Sequence, residues 1–392
     1  MICNSNCSII IQALKDLLLF MGGTVTDTRL NKLASILVDH STYIGPGDRV
    51  AIESSTNAEP LVRAVYELSL QRGAHPHLLF KLPDEEEIFY KYASDSQLDF
   101  TPTFQKLVTD EFDVYIRIRA DVNTRALSGV DPVRQRRFQK AMSPIRTGMI
   151  RRGGDKSLRW ALTQYPTEAY AKEAGMSFEE YKDFVYAACH ADDNTPDPVA
   201  YWEEVERQQR AIIERIEGHD KVKVMGPNVD LSLSIKGRKF NNSCGHHNMP
   251  DGEIYTGPVE SSVNGWVKFT YPAIFQGRMV EGVELTFEKG RVATATAEKE
   301  QDFLLTMLDS DVGARYVGEF AIGTNVEINR YTRNILFDEK LGGTFHMALG
   351  AGYPETGSLN TSMIHWDMIC DMKANSEIRV DGVVVYRDGQ FL

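Results

Sequence analysis

The chain has 392 residues, 42% hydrophobic and 25% charged, enough for one to three globular domains with a sizeable core. A formal net charge of -12 excludes the basic footprint that non-specific nucleic-acid binding needs. The five cysteines, Cys3, Cys7, Cys189, Cys244 and Cys370, are scattered and odd in number, and no apolar run reaches the roughly 18–20 residues of a spanning helix, so a cytoplasmic setting with no disulfide framework and no membrane partner is expected.

The first patterned segment, "SIIIQALKDLLLF" (Ser8–Phe20), reads as an amphipathic helix rather than a signal core. Gln12, Lys15 and Asp16 interrupt it and no basic stretch precedes it. Residues 1–22 are treated as a possible extension, with Met21 as an alternative start. Strand and helix signals then alternate. "DRVAIES" (Asp48–Ser54) predicts a strand, "EPLVRAVYELSLQRG" (Glu59–Gly73) a helix ending at glycine, "HPHLLF" a strand, "DEEEIFYKYAS" a helix with acids in its first turn, and "FDVYIRIRA" (Phe112–Ala120) a third strand. Strands separated by helices predict a mainly parallel sheet flanked by helices. These strand ends carry no G-x-G-x-x-G or Walker loop, so a nucleotide is not indicated.

From Pro132 to about Gly218 the pattern is mostly helical, in "PVRQRRFQKAM", "TEAYAKEAGMSFEEYKDFVYAACH" and "PDPVAYWEEVERQQRAIIERIEG". The basic cluster Arg134–Lys140 reads as a solvated helix face. After Gly218 the texture changes to short strands and tight turns, with one helix expected in "ATAEKEQDFLLTMLD" and a hairpin signalled by the Asp-Gly turns of "VDGVVVYRDG". The expected organisation is an α/β domain over 1–218 followed by an α+β, strand-rich, metal-binding domain over 219–392.

The chemistry-bearing residues fall in the second half. Glu253 follows a Pro-Asp-Gly turn, and Glu319 enters an apolar strand. Glu339, His346 and Tyr353 surround glycine-rich turns in "FDEKLGGTFHMALGAGYPETG". In "NTSMIHWDMICDM", His365 and Asp367 are two residues apart and share one strand face, with Ile364, Trp366 and Met368 on the other. A buried carboxylate beside an imidazole needs a partner: a salt bridge, a hydrogen-bond network or a metal ion. Three glutamates, an aspartate and two histidines are about the inventory that two closely spaced divalent ions need, and too carboxylate-rich for a structural zinc site. Zinc, cobalt and manganese all suit such a set.

Four ordered blocks, "NMPDGEIYTGPVESSVNG", "GEFAIGTN", "FDEKLGGTFHMALGAGYP" and "IHWDM", resemble the signature blocks of the aminopeptidase T / aminopeptidase S family of metallo-aminopeptidases. The likeness extends more loosely into the first half through "GDRVAIESSTNAEPLVRAVYELSLQRGA". It implies a homodimeric exopeptidase with two divalent ions per chain, acting on peptides with a free N-terminus. The metal ligands it implies are Glu253, Glu319, Glu339, His346, His365 and Asp367, with Glu253 or Glu319 as bridging ligand or proton acceptor and Tyr353 close enough to contact substrate. The seven-residue step from Glu339 to His346 is longer than the family pattern, which loosens the assignment of Glu339. Two other readings use the same residues. His346, His365 and Asp367 form the two-histidine, one-carboxylate set of a mononuclear non-haem iron dioxygenase, for which the remaining glutamates are superfluous. A non-catalytic binding protein on the same fold is the other. Two flanking features are also noted: His246 and His247, as groups that orient ligands or as turn residues, and Tyr255, Phe269 and Tyr271, as a side-chain pocket or as core.

Overall fold

The computed structural model describes residues 27–392, so the Ser8–Phe20 segment, Cys3 and Cys7 lie outside the described residues. The first half builds a five-stranded sheet in the order His75–Lys81, Arg49–Ser55, Val114–Arg119, Arg159–Gln164 and Asn248–Met249, parallel throughout. The strand Arg49–Ser55 is buried on both faces through Val50, Ala51 and Ile52, whereas Val114–Arg119 buries Val114, Ile116 and Ile118 on one face and leaves Arg117 exposed on the other. The apolar content of Arg49–Ser55 is that expected of a strand covered by crossover helices. The helix Glu59–Gln71 starts with proline in its first turn and buries Leu61, Val62, Ala64 and Val65.

The stretch 132–218 departs from its helical expectation at Arg159–Gln164, which is the fourth strand of that sheet. "RWALTQ" is short and has no run of β-branched residues, so only its pairing with Val114–Arg119 makes it a strand. Around it the helices form as the pattern predicts. Asp131 caps Pro132–Ala141, which buries no residue, in keeping with a solvated basic face. The long "TEAYAKEAGMSFEEYKDF" pattern is broken into Glu168–Ala174 and Phe178–Ala188. Gly175 takes a left-handed φ of 67° at the break, and a Ser177–Glu180 capping box restarts the helix.

The second half contains an eight-stranded antiparallel sheet and a five-stranded antiparallel sheet. Asp381 and Gly382 both take positive φ at the predicted hairpin turn, as a type I′ turn requires. The helix expected over "ATAEKEQDFLLTMLD" is confined to Gln301–Leu308; the alternating Ala-Thr run before it is the strand Arg291–Thr296, paired with Glu284–Glu288.

Two hydrophobic cores result. The second is assembled between Ile213 and Tyr386. The first spans Leu30 to Trp202 but also takes Met249, Ile328, Leu336, Phe337 and Leu341 from far along the chain. The chain therefore crosses back after Gly218: Asn248–Met249 completes the first sheet, and Thr163 Oγ1 donates to the Met249 carbonyl at 2.8 Å. Among the described residues no helix is long and apolar enough to cross a membrane.

Candidate metal centre

The five-stranded antiparallel sheet runs His365–Asp371, Thr344–Gly350, Val317–Gly323, Glu253–Thr256, Asn241–Ser243. Its register decides which side chains meet. His346 lies opposite Ala321, Asp367 opposite Ala348, His365 opposite Gly350, and Glu253 opposite Gly323. Glu319 is two residues from Ala321 along its strand. Directly opposed residues share a face and side chains alternate along each strand, so Glu253, Glu319, His346, His365 and Asp367 all project from one face. On one side each is opposed by alanine or glycine, which leaves room between the polar side chains, while His346 and Glu253 are flanked on the other side by Ile369 and Ser243. The other face carries Phe320, Ile322, Phe345, Met347, Leu349, Trp366 and Met368, all buried in the second core. The core thus fixes the strands from behind while the polar face converges in front.

Two groups of ligand atoms form, each with all its members within 4.8 Å of one another: Glu253, Glu319 and His346, and Glu319, His365 and Asp367. Glu319 belongs to both. His346 Nε2 is 3.3 Å from Glu253 Oε2 and 3.6 Å from Glu319 Oε1. His365 Nε2 is 3.3 Å from Glu319 Oε2 and 3.5 Å from Asp367 Oδ1. The other nitrogen of His365 is 2.8 Å from the Ala351 carbonyl and donates to it, which directs Nε2 at the carboxylates. Glu253 Oε2 and Asp367 Oδ1 are buried and make no well-formed hydrogen bond, although an imidazole nitrogen stands 3.3 Å from the first and 3.5 Å from the second. Such orphaned carboxylate oxygens are costly unless a cation meets them. The donor set of hard carboxylates and imidazoles fits divalent metal.

The electrostatics follow from this crowding. Burial pushes the Glu253 carboxyl above its ordinary range. Burial would also raise Asp367, but the His365 imidazolium holds it down to about 2. Burial would lower His365, yet the carboxylates of Asp367 and Glu319 lift it to about 11. His346 is raised for the same reason, by Glu319 and Glu253, against the burial that opposes it. Without metal the cluster keeps protons on its imidazoles; metal must displace them. Metal affinity is therefore expected to rise with pH through the neutral range, by about tenfold per unit for each proton released. Competition titrations at several pH values check this, and a pH-independent affinity would contradict it.

Glu339 is not in either group. It pairs with Lys340, whose Nζ also lies 3.7 Å from Glu253 Oε1. Lys340 is fully buried, so it is held as a counter-charge between two glutamates rather than as a solvated lysine. Its arrival depends on Gly323: a Cβ there would stand 2.3 Å from the Leu341 carbonyl oxygen. The sequence marks Lys340 as adjacent to the acid but gives no sign of its burial. Tyr353, more exposed than the ligands, sits with its ring 5.3 Å from that of His365 and 5.2 Å from that of Tyr255. Burial, with the negative charge of Glu319 and Asp367, pushes its phenol up and keeps it a proton donor.

The flanking residues divide. Tyr255 lies opposite Ala321 and so joins the polar face. Phe269 is core, and Tyr271 stacks on Tyr331 away from the cluster. His246 meets Glu206 and His247 packs near Trp160, so neither histidine touches the Glu253 cluster. The three residues of the iron reading are split, because His346 falls in the group that lacks His365 and Asp367.

A family model described as thermophilic metalloprotease (M29) matches residues 26–391. The chain belongs to that family. Aminopeptidase 2 of Geobacillus stearothermophilus is 27% identical over 412 aligned residues, covering 93% of this chain and 95% of the relative. Aminopeptidase T of Thermus aquaticus is 26% identical, covering 91% and 94%. The solved structure of wild-type AmpT from Thermus thermophilus superposes with a TM-score of 0.79 at 22% identity, covering 93% of this chain and 99% of that one. The M29 chain is thus a metal-dependent hydrolase with a divalent-metal cofactor, on an α/β fold continued by a strand-rich second half. The resemblance read from the four sequence blocks and the iron alternative part here, in favour of the former.

Proposed function

We propose that this M29 chain is an aminopeptidase that removes the N-terminal residue of peptides at a two-metal centre. The observation that carries the reading is the pair of ligand groups that share Glu319. Glu253 and His346 would hold one ion, His365 and Asp367 the other, with Glu319 between them. Glu339 is proposed as a further ligand that would exchange its Lys340 partner for an ion. Zinc, cobalt or manganese held by these residues would supply a water nucleophile ionised near neutral pH and would polarise the scissile carbonyl.

The chain's own groups do the rest. Glu253, whose carboxyl is raised by burial, would hold its ion through one oxygen and take the proton of the nucleophile on the other, returning it to the leaving amine. Tyr353 donates a hydrogen bond to the oxyanion. The negative charge of the cluster attracts the free α-amino group of the substrate and restricts cleavage to the first residue. Buried free thiols at Cys189, Cys244 and Cys370 support a reducing, cytoplasmic location. The homodimer and the division near Gly218 are part of the same proposal and rest on the resemblance and on the change of texture in the chain.

The test is hydrolysis of L-leucine p-nitroanilide by chelator-stripped protein, before and after adding back zinc, cobalt or manganese. Activity is expected to fall to background on stripping and return with metal. Full activity in metal-free protein would overturn the reading.

A further inference from the structure

A second donor cluster lies outside the centre just described. Glu206 of the helix Pro198–Ile216 meets Cys244 and His246, which follow the strand Asn241–Ser243, and the ligand atoms of all three lie within 4.8 Å of one another. The histidine is oriented as a ligand is. Its Nδ1 is 3.3 Å from the His40 carbonyl and donates to it, which leaves Nε2 as the lone-pair nitrogen, 3.2 Å from Glu206 Oε2. Two acceptors then face each other, and only a proton or a cation reconciles them. The arrangement repeats that of His365, whose Nδ1 is likewise fixed by a backbone carbonyl.

The surroundings are built. His40 stacks on His246 with ring centroids 4.7 Å apart and is tied through Nε2 to the Cys244 carbonyl at 2.7 Å. Its Nδ1 is buried without a partner, as is Asn242 Oδ1. Asn242 Nδ2 donates to the Glu206 carbonyl at 2.8 Å, so helix and loop are already joined around the cluster. The other oxygen of Glu206 is held by Arg210 at 2.9 Å, which leaves Oε2 for the ligand.

We propose that Glu206, Cys244 and His246 form a separate site for a zinc-class divalent ion, with one coordination position open to solvent. A carboxylate, a thiolate and an imidazole together suit a borderline-soft metal and neutralise its charge. On binding, the Cys244 thiol loses its proton to solvent as the sulfur–metal bond forms. The site would pin the loop that starts at Cys244 and ends at Glu253. Ser243 and Glu253 are ladder partners across that loop, so the ion is a positioning device for the strand that carries Glu253.

This proposal does not depend on the peptidase reading, because the Glu319 centre contains no sulfur. Protein loaded with cobalt(II) is expected to show a thiolate-to-cobalt charge-transfer band in the near ultraviolet. Cys244→Ser should abolish the band, and the partly exposed Glu206→Gln should bind one ion fewer per chain with an unchanged circular dichroism spectrum. No band in wild-type protein saturated with cobalt would overturn the site, as would a band that survives Cys244→Ser or an undiminished ion count in Glu206→Gln.

Discussion

Glu319→Gln is expected to lower peptide hydrolysis by more than about a hundredfold and to remove more bound metal than any other single ligand substitution. The scale comes from outer partners of metal ligands, whose loss alone costs about 10–100-fold. Glu319 is the one residue in both ligand groups, so its carboxylate is lost to both at once. Glutamine preserves shape and one oxygen but removes the charge that faces His346 and His365 at 3.6 and 3.3 Å. Metal analysis beside steady-state kinetics checks this. Retention of both ions with normal turnover would show that Glu319 is not shared. Asp367→Asn, which touches only one group, provides the internal comparison and should leave the Glu253–His346 side able to bind.

Trp366→Ala is expected to lower the stability of the fold by about 3–5 kcal/mol, the usual cost of truncating a large buried aromatic. Trp366 is 1% exposed, stacks on Phe275 at 5.3 Å and packs on Phe303 at 5.9 Å. It lies between His365 and Asp367 but points the opposite way. The substitution empties the core behind the metal face without touching a ligand atom. A urea titration should show a lower midpoint with an unchanged slope. A variant as stable as the parent would mean that the apolar face does not anchor this strand.

Much of this was readable from the sequence wherever period-two alternation and glycine-bounded blocks coincide. "IHWDM" announces both faces of its strand, and the three early strands announce a parallel sheet. Convergence of Glu253, Glu319, His346, His365 and Asp367 is a matter of register across four strands, which no local pattern contains. The strand Arg159–Gln164 escaped because its residues show no β preference apart from their neighbours. Asn248–Met249 escaped because two residues cannot display a period. Lys340 and Glu339 are adjacent in sequence, yet only the close approach of Leu341 to Gly323 shows which of them faces Glu253. Glu206 was hidden for a different reason: its place on a charged helix resembles that of any solvated acid.

The strand Asn248–Met249 also ties the two halves together across the division near Gly218. A fragment ending at Gly218 would leave the hydrogen-bonding edge of Arg159–Gln164 open and the places of Met249, Leu336 and Phe337 in its core empty. An open edge beside uncovered apolar surface is a template for self-association. During synthesis the first half must wait, incompletely closed, until residues beyond Leu341 have emerged. The peptide that adds the last strand of the parallel sheet runs directly into Glu253, so the parallel sheet and the metal face are joined by one continuous stretch of chain.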